Sequence, residues 1–498
     1  MPEAAAPRPG QPRLRVPNLR VLVVASEAVP LVKTGGLADV VGALPAALAP
    51  HGVLVTTLLP GYPAVMAAIV GARTARTLPD LFGGPARLVR SPAAGLDVIA
   101  VDAPHLFART GNPYQTADGT PWADNALRFA ALGAAGALLA SEGLRGLKFD
   151  LLHAHDWQGG LACAYLRFAA RKIPSVFTIH NMAFQGQYPA ALFAQLGLPP
   201  EAFATEGLEY FGGVGFLKAG LWFADHITTV SPTYAAEIRT PASGMGLDGL
   251  LRGRADALSG ILNGLDTEAW NPATDQHLTA RFTAADPAPR AENKAAVQAA
   301  LGLAADLTAP LFGFVGRLTW QKGIDLILEA LPSLFAAGGQ LALLGTGDAE
   351  LEHRVRSAAA TNAGRIGALI GFDEGLARRI YGGADALLVP SRFEPCGLAQ
   401  LCALRYGAVP IVARVGGLAD TVIDANEMAR AVGAGTGVNF APPVPELLGA
   451  AMLRAASLYR EGTPWRTLQA NALATDVSWA RSARAYAELF RFLVARHG

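Results

Sequence analysis

Hydrophobic positions along the chain fall into two successive sets of short apolar runs, separated by stretches rich in Ala and Leu. The runs are nearly continuous in apolar character, which is typical of strands buried on both faces of a parallel sheet. Their alternation with helical stretches predicts βαβ units and therefore an α/β fold. The predicted strands are 21–26, 53–59, 98–102, 151–155, 175–180 and 226–230 in the first set, and 311–315, 341–344, 368–370, 386–389, 409–412 and 438–440 in the second.

The two sets predict two domains. Residues 263–289 are rich in turn formers and weakly periodic, as expected of a junction between domains. A chain of 498 residues is long enough for more than one hydrophobic core. We expect four parts along the chain: a flexible N-terminal tail at 1–19, domains at 20–264 and 265–476, and a C-terminal helix at 477–498. The tail is rich in Pro and Arg and lacks the apolar segment of a secretory signal.

The C-terminal segment reads as one amphipathic helix. Apolar residues recur at three- and four-residue spacing behind a candidate cap at Asp476. We expect this helix to cross back to the first domain and pack on its surface; docking of a protein partner is the alternative. The apolar positions are Trp479, Ala483, Tyr486, Phe490 and Leu493.

Composition narrows the class of protein. The chain is 51% hydrophobic and only 16% charged, with a net charge of +1, which excludes a disordered chain, a coiled coil and a binder of polymeric nucleic acid. No apolar stretch is long enough to predict a membrane span. The three cysteines are odd in number and lack the spacing of metal ligands, so we predict neither disulfides nor a zinc module. This cysteine usage is consistent with a reducing cytoplasm.

The loop after the first predicted strand has the features of an anion site. Lys33 precedes Gly35 and Gly36, which open a helix. Glycines allow close approach of backbone to an anion, and a helix N-terminus favours negative charge. An ordinary glycine turn with a solvated lysine is the alternative. The five residues 35–39 recur at 416–420, again after a predicted strand, which favours two such helix starts around a diphosphate-bearing ligand.

Two loops of the second domain add candidate chemistry. Arg317 and Lys322 follow the strand at 311–315, where they can hold phosphate oxygens, although two solvated surface cations are the alternative. Glu394 follows the strand at 386–389 and can bind sugar hydroxyls or balance positive charge at a reacting carbon. Cys396 is a candidate nucleophile only by residue type, because no histidine is close in sequence and isolated cysteines commonly pack in cores.

In the first domain, His153, His155 and Asp156 end one predicted strand and His180 with Asn181 ends the next. Alternation along a strand sends both histidines of the first pair to one face, which permits a metal site or simple packing. Sugar binding by Asp156 and His180 is the interpretation we favour. The Gly-x-Gly-x-x-Gly pattern at 244–249 follows a helical stretch, so it does not indicate a dinucleotide site.

Taken together, four motifs resemble those of bacterial glycogen synthases and the related starch synthases. The similarity runs from about residue 20 to the final helix, with the motifs in order. It implies GT-B architecture, in which two Rossmann-like domains face a deep cleft, and transfer of glucose from ADP-glucose to the non-reducing end of an α-1,4-glucan with retention of configuration. The motifs lie at 33–40, 153–157, 317–323 and 390–398.

The resemblance also implies residue roles. The donor diphosphate would be held by Lys33, Gly35, Gly36, Arg317 and Lys322, and the glucose and phosphate site lined by Glu394, Cys396, Gly397 and Leu398. Asp156, His180 and Asn181 would contact the transferred glucose and the acceptor, and Tyr114 and Asn263 would lie near the acceptor and the cleft. Phe372 would stack on adenine, and Thr421 would lie near phosphate. Among these, Glu394, Arg317, Lys322, Asp156 and His180 are the expected catalytic set.

No metal and no cofactor are expected, because the cations would stabilise the leaving ADP. Closure is expected about hinges near 263–266 and the start of the terminal helix. Two positions depart from the pattern of relatives: Cys402 stands where many retaining relatives carry a second Glu, and Ala399 where a hydroxyl or amide is common. The alternatives are another donor such as UDP-glucose, a phosphorylase, or a non-catalytic glucan-binding protein. Oligomeric state stays open.

Overall fold

The computed structural model describes residues 18–69, 71–116 and 118–497. All but the last two residues of the expected N-terminal tail lie outside them. In the described part, the first half of the chain forms a nine-stranded sheet in the order β12-β11-β7-β6-β1-β2-β5-β4-β3, and a small sheet in the order β8-β10-β9. The strands are β1 (Leu19–Val24), β2 (Val53–Pro60), β3 (Arg73–Leu78), β4 (Ala86–Ala93), β5 (Leu96–Asp102), β6 (Leu151–His155), β7 (Ser175–Ile179), β8 (Gln187–Pro189), β9 (Glu209–Tyr210), β10 (Gly213–Gly215), β11 (His226–Thr229) and β12 (Leu258–Gly260).

The second half forms a six-stranded parallel sheet in the order β15-β14-β13-β16-β17-β18. All twelve strands predicted from the apolar runs are present, most within two residues of the expected ends. The strands are β13 (Leu311–Val315), β14 (Gln340–Gly345), β15 (Ile366–Ile370), β16 (Ala386–Val389), β17 (Val409–Ala413) and β18 (Val438–Phe440).

Helices connect the parallel strands. None of those in the described ranges is both long and apolar enough to cross a membrane. The helices of the first half are α1 (Gly36–Leu48), α2 (Pro63–Ala68), α3 (Pro104–Phe107), α4 (Asn125–Glu142), α5 (Asp156–Arg167), α6 (Phe216–Phe223), α7 (Pro232–Glu237) and α8 (Asp248–Gly253). Those that follow are α9 (Arg290–Ala300), α10 (Ile324–Glu329), α11 (Leu331–Ala336), α12 (Ala349–Thr361), α13 (Glu374–Gly383), α14 (Ala399–Tyr406), α15 (Gly416–Thr421), α16 (Glu427–Ala431), α17 (Pro445–Glu461), α18 (Thr463–Ala474) and α19 (Ala480–His497).

Helix α19 packs on the first sheet. Tyr486 and Phe490 are fully buried in the same apolar cluster as β1 and β6, whereas the second sheet has its own clusters on either face. The expected cap was wrong: the Asp476 carboxylate accepts from the amide of Ser478, and α19 begins only at Ala480. The Ser478 hydroxyl accepts from the Ala480 amide instead, because the chain makes a tight turn before the helix starts.

The chain passes twice between the two halves, at residues 264–265 and 477–479, and these two segments contact each other. The amide of Leu265 donates to the Val477 carbonyl at 2.7 Å, and Gly264 lies against the backbone of Trp479 so closely that a Cβ atom there would sit 2.6 Å from its Cα. The junction after the first domain and the segment before α19, which leads back to that domain, therefore form one connection between the halves.

Candidate active site

The loop that carries Lys33 is fixed by a buried carboxylate. Glu27 is 3% exposed and accepts from the amide and the hydroxyl of Thr34, the latter at 2.6 Å. The hydroxyl of Tyr114 also donates to Glu27 and lies 2.8 Å from Ser26 Oγ. Burial, with the nearby Glu27, raises the pKa of Tyr114 well above its usual value. Sequence reasoning gave Glu27 no role; its only signal was a charged residue directly after a buried strand.

The helix start beyond this loop is open. Nothing lies within 4 Å of a Cβ atom built on Gly35, and only Leu398 of the second domain, at 3.9 Å, lies near one on Gly36. Lys33 is exposed and pairs with Asp39 in the first turn of α1, Nζ to Oδ1 2.7 Å. The amide end of α1 and the ammonium group therefore face space in which an anion can bind.

Asp156 lies at the end of β6 with a left-handed backbone, φ +50°. Asp tolerates that conformation better than most residues. Its carboxylate accepts from the backbone amide of His180 at 2.6 Å, so it holds the end of β7 in place. Burial raises the pKa of Asp156 to about 7 and lowers that of His180 to about 3. The neighbouring Asn181 side chain accepts from the amide of Ala183 and shapes the loop after β7.

The histidines at the end of β6 are packed and hydrogen-bonded. His155 Nδ1 lies 2.9 Å from His180 Nε2, and His153 Nε2 lies 2.6 Å from the hydroxyl of Thr178. Burial lowers the pKa of His153 to about 3 and of His155 well below its usual value. Within residues 18–69, 71–116 and 118–497, no group of three or more His, Cys, Asp or Glu could hold a metal ion, so these residues do not fit the metal alternative.

The second domain places a cation against a carboxylate. Lys322 Nζ lies 2.5 Å from Glu394 Oε2, and the Ser391 hydroxyl donates to the same oxygen at 2.8 Å. Glu394 is 6% exposed, whereas Lys322 keeps about a quarter of its side chain accessible. A buried carboxylate is stable in this position because both neighbours donate to it.

The two loops that carry this pair are clamped together. Arg392 forms a bidentate ion pair with Asp325, at 2.8 and 2.6 Å, and donates to the carbonyl of Trp320. Gly323 has φ +70° and lies so close to the Pro390 carbonyl that a Cβ atom would clash at 2.2 Å. A glycine is required there, and the clamp fixes the distance between Lys322 and Glu394.

Two of the residues expected to contact the nucleotide sugar, Arg317 and Phe372, are exposed to solvent. Arg317 is exposed and forms no side-chain hydrogen bond or ion pair with the residues that the structure describes. Phe372, just after β15, is 88% exposed. A guanidinium and an aromatic ring in these positions are available to a ligand.

The second copy of the glycine motif is used differently from the first. The amide of Gly416 donates to Glu237 at 2.9 Å, and that of Gly417 donates to the Glu394 carbonyl at 3.0 Å. Gly416 has φ +42°, and Cβ atoms on both glycines would collide with the backbone of 394–396. The expectation of a second anion-binding helix start was therefore wrong, because protein acceptors already occupy its first amides.

The remaining predicted residues lie in the second domain, except Asn263 at the junction. Gln400 donates to the carbonyls of Cys396 and Gly397 and lies 3.2 Å from the Thr421 hydroxyl, which itself donates to Gly417. Asn263, at the junction, has a buried side-chain oxygen without a partner among the described residues. Burial raises the pKa of Cys396 to about 12, so its thiol does not fit a nucleophile.

Contacts between the domains bring the two halves of the site together. Asp420 accepts from the hydroxyl and the amide of Thr233, at 2.6 and 2.9 Å, beside the bond between Glu237 and Gly416. Leu398, at the end of the loop that carries Glu394, lies next to Gly36, so the open start of α1 is close to that loop. These contacts join the two domains on the side where α1 begins.

Two Rossmann-like domains that face each other across a cleft define a glycosyltransferase of GT-B architecture. Two family models match in order: the starch synthase catalytic domain over residues 20–253 and glycosyl transferases group 1 over 302–474. The chain belongs to the glycogen and starch synthase family and is a glycosyltransferase of glycogen synthesis.

Individual relatives agree with this assignment. Glycogen synthases from Rhodopseudomonas palustris and Acidiphilium cryptum are each 59% identical over 479 residues, 96% of this chain and 99% and 100% of theirs. The catalytic domain of starch synthase IV from Arabidopsis thaliana, solved with ADP and acarbose, has a TM-score of 0.84 and 32% identity, covering 96% of this chain and 100% of that one. A sucrose-phosphate synthase from Thermosynechococcus elongatus, at 20% identity and a TM-score of 0.59, shares the fold.

Proposed function

We propose that the chain transfers glucose from ADP-glucose to the non-reducing end of an α-1,4-glucan with retention of anomeric configuration. The observation that carries this proposal is the Lys322–Glu394 pair, since the loop that carries Glu394 is close to the open start of α1. The ADP in the starch synthase relative and the names of the glycogen synthase relatives support the choice of donor and acceptor. A cytoplasmic site of action remains a prediction.

In this mechanism the bond between the anomeric carbon and the β-phosphate oxygen breaks while the acceptor hydroxyl attacks from the same face. The hydroxyl proton passes to the departing phosphate oxygen. Lys33, Arg317, Lys322 and the amides of α1 would stabilise the charge that grows on ADP. Glu394 and the backbone near His180 would stabilise the oxocarbenium-like sugar.

The cations would carry the role that a divalent ion has in other nucleotide-sugar transferases, so we propose that no metal is needed. The remaining predicted contacts belong to the same proposal: Phe372 would stack on adenine, Asp156 and Asn181 would bind the transferred glucose, Tyr114 and Asn263 would lie toward the acceptor, and Gly397, Leu398, Cys396 and Thr421 would line the phosphate side. Closure about residues 263–266 and the start of α19 would complete the site, since its groups come from both domains.

The deciding assay incubates the protein with glycogen and either ADP-glucose or UDP-glucose and measures released nucleotide, with and without excess EDTA. We expect faster turnover with ADP-glucose and full activity in EDTA. Preference for UDP-glucose would overturn the donor, and activity restored only by a divalent ion would overturn the metal-free mechanism. The anomeric proton coupling of the new linkage, read by NMR, tests retention.

Variants separate an enzyme from a glucan-binding protein of the same fold. Lys322→Ala and Glu394→Ala should abolish turnover while glycogen still binds in a sedimentation assay. Lys148→Ala and Glu201→Ala, both at exposed positions, are the matched controls. Unchanged turnover in the site variants would refute the assignment.

A further inference from the structure

His155 lies beneath the site and touches no candidate ligand position, yet it contacts a residue that does. It is completely buried, and its Nδ1 atom lies 2.9 Å from Nε2 of His180. The two rings are tilted relative to each other, with centroids 5.2 Å apart and planes at 31°. One nitrogen of each ring is therefore committed to a single hydrogen bond.

Only one of those two nitrogens can carry the proton of that bond. Burial keeps both imidazoles neutral, because it lowers the pKa of each. A neutral imidazole has one N–H and one bare nitrogen, and the partner of one nitrogen decides the state of the other. The bond therefore has two forms, with either His155 or His180 as the donor.

The surroundings of His155 distinguish the two forms. Its other nitrogen, Nε2, is buried and has no hydrogen-bond partner among the described residues. If His155 accepted through Nδ1, its Nε2–H would be a buried donor without an acceptor. If His155 donates through Nδ1, Nε2 is a bare lone pair. A buried N–H without a partner is rarer than an unsatisfied acceptor, so the second form is favoured.

We propose that His155 is a positioning residue: its Nδ1–H donates to Nε2 of His180 and so holds His180 as the Nδ1–H tautomer. His180 Nδ1 forms no hydrogen bond with the described residues, so its proton is available to a ligand oxygen in the cleft. That His180 meets a sugar hydroxyl rests on the proposed function; the tautomer itself does not.

Neighbouring groups keep His155 in this orientation. The His153 ring lies against it with centroids 4.1 Å apart, and His153 Nε2 is bonded to the Thr178 hydroxyl, which in turn lies 2.6 Å from that of Thr228. Asp156 fixes the backbone of His180 through its amide. The packing of His153 therefore supports the ring of His155, and Asp156 fixes the backbone from which the His180 ring extends.

The direct test reads the tautomers of both histidines in the unsubstituted protein. Long-range ¹H–¹⁵N correlation spectra of the full chain, labelled with ¹⁵N-histidine, report which ring nitrogen of each histidine carries the proton. Signals of His180 are assigned by their loss in His180→Gln. We expect His155 and His180 both as Nδ1–H tautomers at neutral pH. A His180 that carries its proton on Nε2, or on both nitrogens, overturns the proposal.

Variants then test the consequence for transfer. His155→Asn keeps a donor near the position of Nδ1, whereas His155→Leu removes it, so His180 in the Leu variant should show a mixture of tautomers. We expect kcat to fall at least about 10-fold in His155→Leu, as a wrong tautomer does in other enzymes, and to recover largely in His155→Asn. His353→Asn, at an exposed position, is the matched control.

The outcomes separate this inference from the proposed function. If His180 carries its proton on Nδ1 but the protein does not use ADP-glucose, the tautomer assignment stands and only the proposed donor is overturned. Transfer from ADP-glucose with an Nε2–H His180, or with equal kcat in the Leu and Asn variants, overturns only the role of His155.

Discussion

Lys322 and Glu394 are 72 positions apart in the chain, and their Nζ and Oε2 atoms lie 2.5 Å apart in the fold. The carboxylate is nearly inaccessible to solvent, and the lysine is the only cation that pairs with it among the described residues. Removal of the lysine alone therefore leaves a buried, unpaired carboxylate, whereas removal of both charges leaves none.

We predict that Lys322→Met lowers the free energy of unfolding by about 1 to 3 kcal/mol, because it leaves the Glu394 charge buried with only the Ser391 hydroxyl as partner. Lys322→Met combined with Glu394→Gln should recover most of that loss while turnover stays absent. Urea unfolding followed by circular dichroism measures both. A double variant no more stable than the single one would contradict the pairing.

Asp420→Ala removes both hydrogen bonds to Thr233 and should weaken the contact between the domains. We expect a larger radius of gyration in small-angle scattering, and a higher KM for the donor because closure must then be driven by ligand alone. Asp118→Ala, at an exposed position, is the control. An unchanged radius, with and without ADP and glucan, would argue against closure at this contact.

Asp156 gives a pH dependence of stability with a defined sign. Its pKa in the folded chain is about 7, above the unfolded value near 3.8, so the folded state holds a proton that the unfolded state releases. This carboxyl therefore costs stability as pH rises from about 4 to about 7. Asp156→Asn does not titrate, so its stability relative to the native chain should rise across that range, by at most about 4 kcal/mol. Urea unfolding at pH 5 and pH 8 measures the difference.

The buried histidines act in the opposite direction. The folded pKa of His153 is about 3, below the unfolded value near 6.5, so protons taken up by the unfolded chain favour unfolding as pH falls between those values. His153→Gln, which can still contact Thr178, should show a shallower loss of stability from pH 6.5 to pH 4. His353→Gln is the surface comparison. Equal slopes in the native chain and His153→Gln would count against a neutral, buried His153.

Helix α19 offers a matched pair of substitutions two residues apart. Phe490 is completely buried against the first sheet, and Phe492 is 54% exposed. Phe490→Ala should cost about 3 to 5 kcal/mol of unfolding free energy. Phe492→Ala should stay within about 0.5 kcal/mol. Similar losses in both variants would mean that the helix does not pack as described.

Much of the fold was readable from the sequence because strands buried on both faces leave continuous apolar runs. The strands that were missed lack that signal. β3 is largely exposed and polar, and β4 is interrupted by exposed or partly exposed polar residues. β8, β9, β10 and β12 are two or three residues long, so hydrogen bonding to a neighbour rather than an apolar run defines them. The predicted helix cap at Asp476 was wrong because its carboxylate accepts from the amide of Ser478 in a turn that precedes the helix.

The candidate site was predicted only in part. Position after a strand was enough to single out Lys33, Arg317 and Glu394, because ligands bind beyond the carboxyl ends of parallel strands. Glu27 and Arg392 escaped notice, although one fixes the Lys33 loop and the other clamps the loop of Glu394 to that of Lys322. Glu27 also bonds to Tyr114, 87 positions away, and Arg392 pairs with Asp325, 67 positions away, and no local pattern reveals such distant pairs.

The repeated pentapeptide at 35–39 and 416–420 shows the division most clearly. Both copies open a helix after a strand, as the sequence alone predicts, because the glycines and the preceding apolar strand act through local backbone preferences. Long-range packing leaves the first copy facing open space, whereas the amides of the second copy donate to Glu237 and the Glu394 carbonyl. Which groups approach an amide, and which charges lose their water, depends on contacts between distant segments, and these form only when the domains pack.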